Sequence, residues 1–211
     1  MNKRPMNNFN KKKNNPDKNF LVKDIEFSSQ TKKAIVLAKE GKFLESAKIY
    51  NDLIEKGKFN HLTFHRLAGI YERLGKKKEA FECLHKAINF KKNYAEAHCD
   101  IGRFLLNNND MKGALNYFAK ALHHKPNLLG PYINIGNIYQ NSGDLVEAMK
   151  FYKKSLKIDN KVPITFYNIG NIYVKEKNFI DAEKNYKSAL KLNANFNLAK
   201  IGLLNIYLET F

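Results

Sequence analysis

The chain has 211 residues, of which 44% are hydrophobic, so it can bury a sizeable core in one or two domains. Its formal net charge is +17, and all but four of its basic residues are lysines. No apolar run approaches the ~20 residues that cross a bilayer, and the N-terminus lacks an apolar leader segment. We therefore expect no membrane span, no secretory signal and a cytoplasmic location, in which Cys83 and Cys99 are free thiols.

Residues 1–26 are rich in asparagine and lysine and contain two prolines. Such a composition buries too little apolar surface to offset backbone ordering, which costs roughly 1–2 kcal/mol per residue. The segment is therefore predicted to be a disordered basic tail. A polybasic arm that contacts nucleic acid or anionic lipid is the functional alternative to a solvated extension.

From Phe27 onward the sequence repeats every 34 residues without insertions. The clearest copy is residues 129–162, and the apolar residues of its first half have the i, i+3, i+4, i+7 spacing of one helix face: Tyr132, Ile135, Gly136 and Tyr139. A second helical face, which contains Ala148 and Tyr152, follows the turn residue Gly143. Each copy is therefore predicted to be two helices joined by a tight turn, and each needs neighbouring copies to bury its apolar faces.

Several positions of the repeat keep one kind of residue in all five copies. Position eight is small: Ala34, Ala68, Gly102, Gly136 and Gly170. Position twenty is also small: Ser46, Ala80, Ala114, Ala148 and Ala182. Position twenty-four is large and mostly aromatic: Tyr50, Leu84, Phe118, Tyr152 and Tyr186. Because a mid-helix glycine costs about 1 kcal/mol relative to alanine, the glycines predict a close approach of the two helices of a pair, with position twenty as the other half of the contact.

These positions resemble the tetratricopeptide repeat family over residues 27–196. The resemblance implies an all-α fold, a right-handed superhelical α-solenoid of antiparallel helix pairs. The expected units are the tail, five repeats and a terminal helix that caps the stack or begins a sixth repeat: 1–26, 27–60, 61–94, 95–128, 129–162, 163–196 and 197–211.

The two ends of the predicted stack differ. The first repeat has Gln30 and Lys33 where the other copies are mostly apolar, as a solvent-facing terminal repeat requires. The terminal helix instead spreads Ile201, Ile206 and Leu208 around much of its surface. Three explanations stay open at this point: a longer parent chain, self-association through this helix, or a tolerated apolar cap.

The resemblance also implies that positions 2, 5, 6, 9, 12 and 13 of each first helix face a concave groove. The candidate peptide-binding residues on this map are Arg66, Arg73, Arg103, Asn134, Asn137, Tyr167, Asn168 and Asn171. Three of the four arginines of the chain are among them, and a guanidinium group fits a carboxylate in a planar fork. The hypothesis is a protein partner with an acidic segment. Internal pairing of these arginines with Glu72, Glu96 or Asp100 is the alternative.

The four asparagines on this map recur at positions six and nine of the fourth and fifth repeats. An amide both donates and accepts hydrogen bonds, so a row of amides suits an extended main chain. This row is similar to the asparagine ladder of the O-linked N-acetylglucosamine transferases, although Arg66 and Asp100 occupy position six in earlier repeats. The general excess of asparagine is the alternative explanation.

Other kinds of site are not predicted. The clamp with which some members of the family grip chaperone tails would need cations at Ile133, Leu198 and Gly202. There is no Walker loop, no GxSxG motif and no recognisable carboxylate pair, and His61 and His65 lack a third metal ligand. We therefore expect no enzymatic activity, no metal and no cofactor.

The sequence favours a protein-protein interaction scaffold that binds an extended or helical peptide segment in its concave groove. The alternative is the N-terminal, substrate-recruiting arm of a larger enzyme such as a glycosyltransferase. Nucleic acid is not an expected partner, because over a third of the net charge lies outside repeats two to five and no aromatic stacking motif accompanies it.

Overall fold

The computed structural model describes the backbone of residues 18–210 and the side chains of residues 27–209. This part of the chain forms eleven α-helices and contains no strand. The helices are α1 (Lys18–Lys39), α2 (Phe43–Glu55), α3 (His61–Arg73), α4 (Lys77–Phe90), α5 (Ala95–Asn107), α6 (Met111–His124), α7 (Leu129–Asn141), α8 (Leu145–Ile158), α9 (Pro163–Lys175), α10 (Phe179–Leu192) and α11 (Asn197–Thr210).

Local residues account for several of the helix starts. At α3, the Asn60 side chain accepts from the Thr63 backbone N–H and the Thr63 hydroxyl accepts from the Asn60 N–H, both at 3.1 Å, which forms a capping box. The side chains of Asp110, Asp144 and Asn178 cap α6, α8 and α10 in a similar way. Pro163 stands at the start of α9, where its missing N–H costs nothing.

The turn inside each helix pair contains one residue with a left-handed backbone. Gly41, Gly75 and Gly143 have φ values of 79°, 74° and 87°, and Asn109 has a φ of 63°. Glycine and asparagine tolerate this conformation, and they form the tight turns that the repeat predicts between paired helices. In the fifth repeat Lys177 adopts it, with a φ of 57°, because the repeat requires the turn even where the residue type is unfavourable.

The helices form a linear stack, since each packs chiefly against helices one or two places along the chain. Within a repeat the two helices make the largest contacts, as between α3 and α4 or between α9 and α10. The predicted all-α solenoid is thereby confirmed. No helix among residues 18–210 is long and apolar enough to cross a membrane.

The N-terminal helix begins earlier than the sequence pattern indicates. Residues 1–17 of the predicted disordered tail lie outside the described residues, whereas the backbone of residues 18–26 is helical and continuous with the first repeat. The first described helix contains no proline or glycine before Gly41, and extending an existing helix costs far less than nucleating one. The helix therefore runs beyond the start of the repeat at Phe27.

The ends of the stack expose different side chains. Gln30 and Lys33 are exposed on α1, as expected for a terminal repeat. On α11, Ala199 and Ile206 are buried. The large apolar side chains that α11 leaves exposed are Leu198, Ile201, Leu204, Tyr207 and Leu208.

The glycines at position eight lie against aromatic rings. A Cβ atom added to Gly136 would lie 2.5 Å from Cε1 of Tyr152, and one added to Gly170 would lie at the same distance from Cε1 of Tyr186. The predicted close approach of the paired helices is present. Its nearest partner is the ring at position twenty-four, however, and not the small residue at position twenty, because the three atoms nearest to each added Cβ all belong to that ring.

We expect Gly136→Ala to destabilise the protein by about 1–3 kcal/mol, because the new methyl group would overlap the Tyr152 ring. Gly69→Ala, at position nine of the second repeat, should stabilise the protein by about 0.5–1 kcal/mol. No atom lies within 4 Å of the Cβ position there, and alanine favours a helix. Chemical denaturation of the two variants beside the parent measures both changes. Equal stability of Gly136→Ala and the parent would contradict this packing.

Candidate functional site: the concave groove

Three positions recur wherever one repeat meets the next on the groove side. They are position nine and position twenty-four of one repeat and position six of the next, and we call each set a junction. From the first junction to the fifth the sets are Ile35, Tyr50 and Arg66; Gly69, Leu84 and Asp100; Arg103, Phe118 and Asn134; Asn137, Tyr152 and Asn168; Asn171, Tyr186 and Gly202.

The fourth junction is closed by hydrogen bonds. The hydroxyl of the buried Tyr152 lies 2.7 Å from both Asn137 Oδ1 and Gln140 Oε1, and Asn168 Nδ2 donates to Asn137 Oδ1 at 2.8 Å. Burial raises the pKa of Tyr152, so its hydroxyl stays a neutral donor. The amides at this junction therefore satisfy a buried hydroxyl.

The fifth junction is only half closed. The Tyr186 hydroxyl donates to Asn171 Oδ1 at 2.6 Å, and burial raises the pKa of Tyr186 to about 12. Gly202, however, supplies no side chain where the fourth junction has an amide. A cavity of about 200 Å³ opens there, and Tyr167 and Ile201 are among the residues that line it.

The predicted row of four asparagines is thus largely engaged within the protein. Asn168 is buried, and the side-chain oxygens of Asn137 and Asn171 accept from protein donors. Asn134 lies half-buried on α7. One signal could have identified this role: asparagine occupies position nine in the two repeats that combine a glycine at position eight with a tyrosine at position twenty-four.

The second junction is open because two of its positions carry less side-chain volume than at the fourth junction. Gly69 has no side chain and Leu84 replaces the usual ring, which leaves a cavity of about 340 Å³. Ala68 and Ala80 also line it, so its floor is apolar, while its rim is charged. Cavities of this size lie at the lower end of the roughly 300–1,000 Å³ found for ligand pockets.

A polar network forms the rim of the cavity at the second junction. His65 Nδ1 lies 2.7 Å from the Tyr94 hydroxyl, and His65 Nε2 lies 2.8 Å from Asp100 Oδ2. Arg103 donates to both oxygens of Glu72, at 3.0 and 3.1 Å, and to Asp100 at 3.3 Å. For Arg103, therefore, the structure has the internal pairing that was the alternative to partner binding. The sequence pattern gave no signal for this role of His65 and Tyr94.

Arg66 and Arg73 are placed differently. Both are exposed, and neither forms an ion pair with a carboxylate of the described residues. Both line a cavity of about 390 Å³ at the first junction, together with Lys39. Two of the three predicted arginines are thus brought together on an open surface, and the third is committed to its neighbours.

The described part of the chain contains two free thiols and no metal cluster. Cys83 and Cys99 are free. Burial raises the pKa of Cys83 to about 11 and that of Cys99 to about 12, so both are protonated at neutral pH. Among residues 27–209, whose side chains the structure describes, no group of three histidine, cysteine or acidic side chains could hold a metal ion.

Paired helices, left-handed turns and a concave row of junctions define a repeat solenoid, and sequence comparison gives its family. Models of the tetratricopeptide repeat match residues 63–94, 95–127, 129–162 and 163–196. The chain belongs to the tetratricopeptide repeat family. No curated protein sequence matches it.

Solved structures share the fold at low sequence identity. The structure of the APC/C hetero-tetramer Cut9-Hcn1 matches with a TM-score of 0.71 and 20% identity over 82% of this chain and 34% of that one. TTC0263, a thermophilic TPR protein of Thermus thermophilus, matches with a TM-score of 0.68 and 13% identity, over 86% and 99%. MamA of Desulfovibrio magneticus RS-1 has a TM-score of 0.66 and 15% identity, over 81% and 96%.

We expect Tyr152→Phe to lower the free energy of unfolding by about 0.5–1.5 kcal/mol, because it removes the donor to Asn137 and Gln140. Tyr50→Phe should leave stability unchanged or raise it, since the Tyr50 hydroxyl is buried without a hydrogen-bond partner in the described residues. Urea denaturation of both variants checks the difference. A larger loss for Tyr50→Phe would refute it.

We expect both cysteines to react slowly with iodoacetamide in the folded protein at pH 8. The thiolate is the nucleophile, and a pKa of about 11 for Cys83 leaves roughly one thiol in a thousand ionised. Mass spectrometry of timed samples follows the alkylation, with the urea-unfolded chain as the control. Alkylation as fast as in the unfolded chain would contradict the burial of the thiols.

Proposed function

We propose that this chain is a protein-protein interaction scaffold that binds an extended or helical peptide segment in its concave groove. The observation that carries the proposal is the opening of the first, second and fifth junctions. Each of these three junctions lacks a counterpart of at least one of the side chains that close the fourth junction. A cavity is therefore open to the groove at each of them.

The cavities suit the side chains of a bound segment. The first two, of about 390 and 340 Å³, share Arg66 and Gly69 in their linings and so adjoin one another. Their apolar floors favour burial of aliphatic or aromatic groups, and their charged rims can bond to main-chain amides. An apolar floor with a few polar groups at its edge is typical of ligand-binding sites.

The charge of the groove favours an acidic partner segment. Arg66 and Arg73 have no carboxylate partner among the described residues, whereas the carboxylates of Glu72 and Asp100 are occupied by Arg103 and His65. Arg66 and Arg73, near the first junction, are therefore the cations that can pair with an acidic segment of a partner.

Two further points support a scaffold. The row of amides was similar to the asparagine ladder of one kind of glycosyltransferase arm, and three of these four amides bond within the protein. Among the proteins with a similar fold, Cut9 was solved as a hetero-tetramer with Hcn1, so one such solenoid holds a protein partner.

We expect Gly69→Phe to weaken peptide binding at least about tenfold, since the new ring would fill the space between the first and second cavities. The site has room for the ring, because no atom lies within 4 Å of the Cβ position. Peptides are selected from a displayed random library on the parent chain, and fluorescence anisotropy measures their affinity for each variant.

The matched control is Ile180→Phe, which adds the same ring at a side chain that is 83% exposed on α10 and lines none of these cavities. Circular dichroism verifies that both variants fold. Selected peptides that bind Gly69→Phe as tightly as the parent would place binding outside the groove and overturn the proposal.

A further inference from the structure

One polar group at the first junction lacks a hydrogen-bond acceptor. Tyr50 is 1% exposed, and its hydroxyl donates to no described residue. Burial raises the pKa of Tyr50, while the charge and the hydrogen-bond donors of the nearby Arg66 oppose the rise. The hydroxyl is thus a neutral donor, and the side chain lines the cavity of the first junction.

The corresponding tyrosine of the fourth repeat explains what is missing. Tyr152 lies beside acceptors at positions nine and twelve, Asn137 and Gln140. In the first repeat these two positions are Ile35 and Ala38, which cannot accept a hydrogen bond. The repeat therefore keeps the donor and omits both of its acceptors.

The surroundings of the Tyr50 hydroxyl are cationic. Lys39, Arg66 and Arg73 line the same cavity, and no acidic residue lines it. None of the three forms an ion pair with a described residue. Arg66 cannot accept from the hydroxyl, because a guanidinium group has donors only. A negatively charged hydrogen-bond acceptor is therefore the group that would complement the Tyr50 hydroxyl and these cations.

We propose that the first junction binds a carboxylate of the bound segment, held by the Tyr50 hydroxyl and the guanidinium groups of Arg66 and Arg73. The inference rests on the proposed function and names the group recognised there. Ile35, Phe43 and Ile70 form apolar walls of the cavity, so the carboxylate belongs beside an apolar residue of the segment. It comes from an acidic side chain or from a C-terminus.

The test uses two pairs of dipeptides on the full chain. Acetyl-Phe-Glu amide and acetyl-Phe-Gln amide differ in a side-chain carboxylate, and acetyl-Ala-Phe acid and its amide differ in a terminal one. Titrations are followed by the backbone amide signals of Ile35, Gly69 and Arg73 in nitrogen-15 NMR spectra. We expect saturable shifts with an acid and not with its neutral twin, and the pair that responds identifies the source of the carboxylate.

Variants assign the effect to the proposed groups. Tyr50→Phe, which keeps the ring, should weaken binding of the responding acid about tenfold, as loss of a hydrogen bond to a charged group does. Arg66→Gln and Arg73→Gln should weaken it similarly. The control is Tyr152→Phe, which removes the equivalent hydroxyl at the fourth junction and should leave the affinity unchanged.

Two results would overturn the carboxylate site. One is equal binding of each acid and its neutral twin, and the other is an affinity that Tyr50→Phe and both arginine variants leave intact. If library-selected peptides still lose affinity to Gly69→Phe, either result refutes the carboxylate site and spares the groove function. If those peptides ignore Gly69→Phe, the groove function itself fails.

Discussion

The contact between the ring at position twenty-four and the glycine at position eight is the constraint on which repeats three to five of the solenoid depend. At Gly136 and Gly170 even one added carbon would overlap the ring, so the ring fills the space that a side chain at position eight would need. This contact fixes the plane of Tyr152 and of Tyr186, and it directs their hydroxyls toward the first helices. A packing requirement thus places a polar group at the base of the groove in every repeat that uses tyrosine.

The groove can vary from junction to junction because its residues are not those that hold the helix pairs together. Asn137 and Asn168 close one junction with two amides, while Gly69 opens another and takes no part in the ring contact. The contacts within helix pairs are therefore similar from repeat to repeat, whereas the groove residues differ. This is expected when each repeat packs only against its neighbours. The differences between junctions, more than the groove as a whole, define what the protein can bind.

The period of 34 residues was sufficient to predict the helices, the tight turns and the buried positions, since all three depend on residues at the same position of every repeat. Two groove contacts were missed because they join different positions. Asn168 bonds to Asn137 across 31 residues, and His65 meets Asp100 across 35. The pairing of Arg103 with Glu72, across 31 residues, was one of the two alternatives that the sequence left open. Comparing residues that are 34 apart aligns equivalent positions of two repeats. It does not reveal pairs that are 31 or 35 residues apart. The early start of α1 was missed because helix extension leaves no periodic signal.

The orphaned hydroxyl of Tyr50 gives the first junction a distinct energetic character. A buried donor without a partner costs about 1–3 kcal/mol, which phenylalanine at this position would avoid at no loss of packing. The third junction does use phenylalanine, Phe118, so the fold accepts either ring. In the proposed complex the carboxylate oxygen would accept from Tyr50, and the strain of the free state would become part of the binding free energy. Arg66 and Arg73 would attract the carboxylate by their charge, and the hydrogen bond from the Tyr50 hydroxyl would fix its orientation.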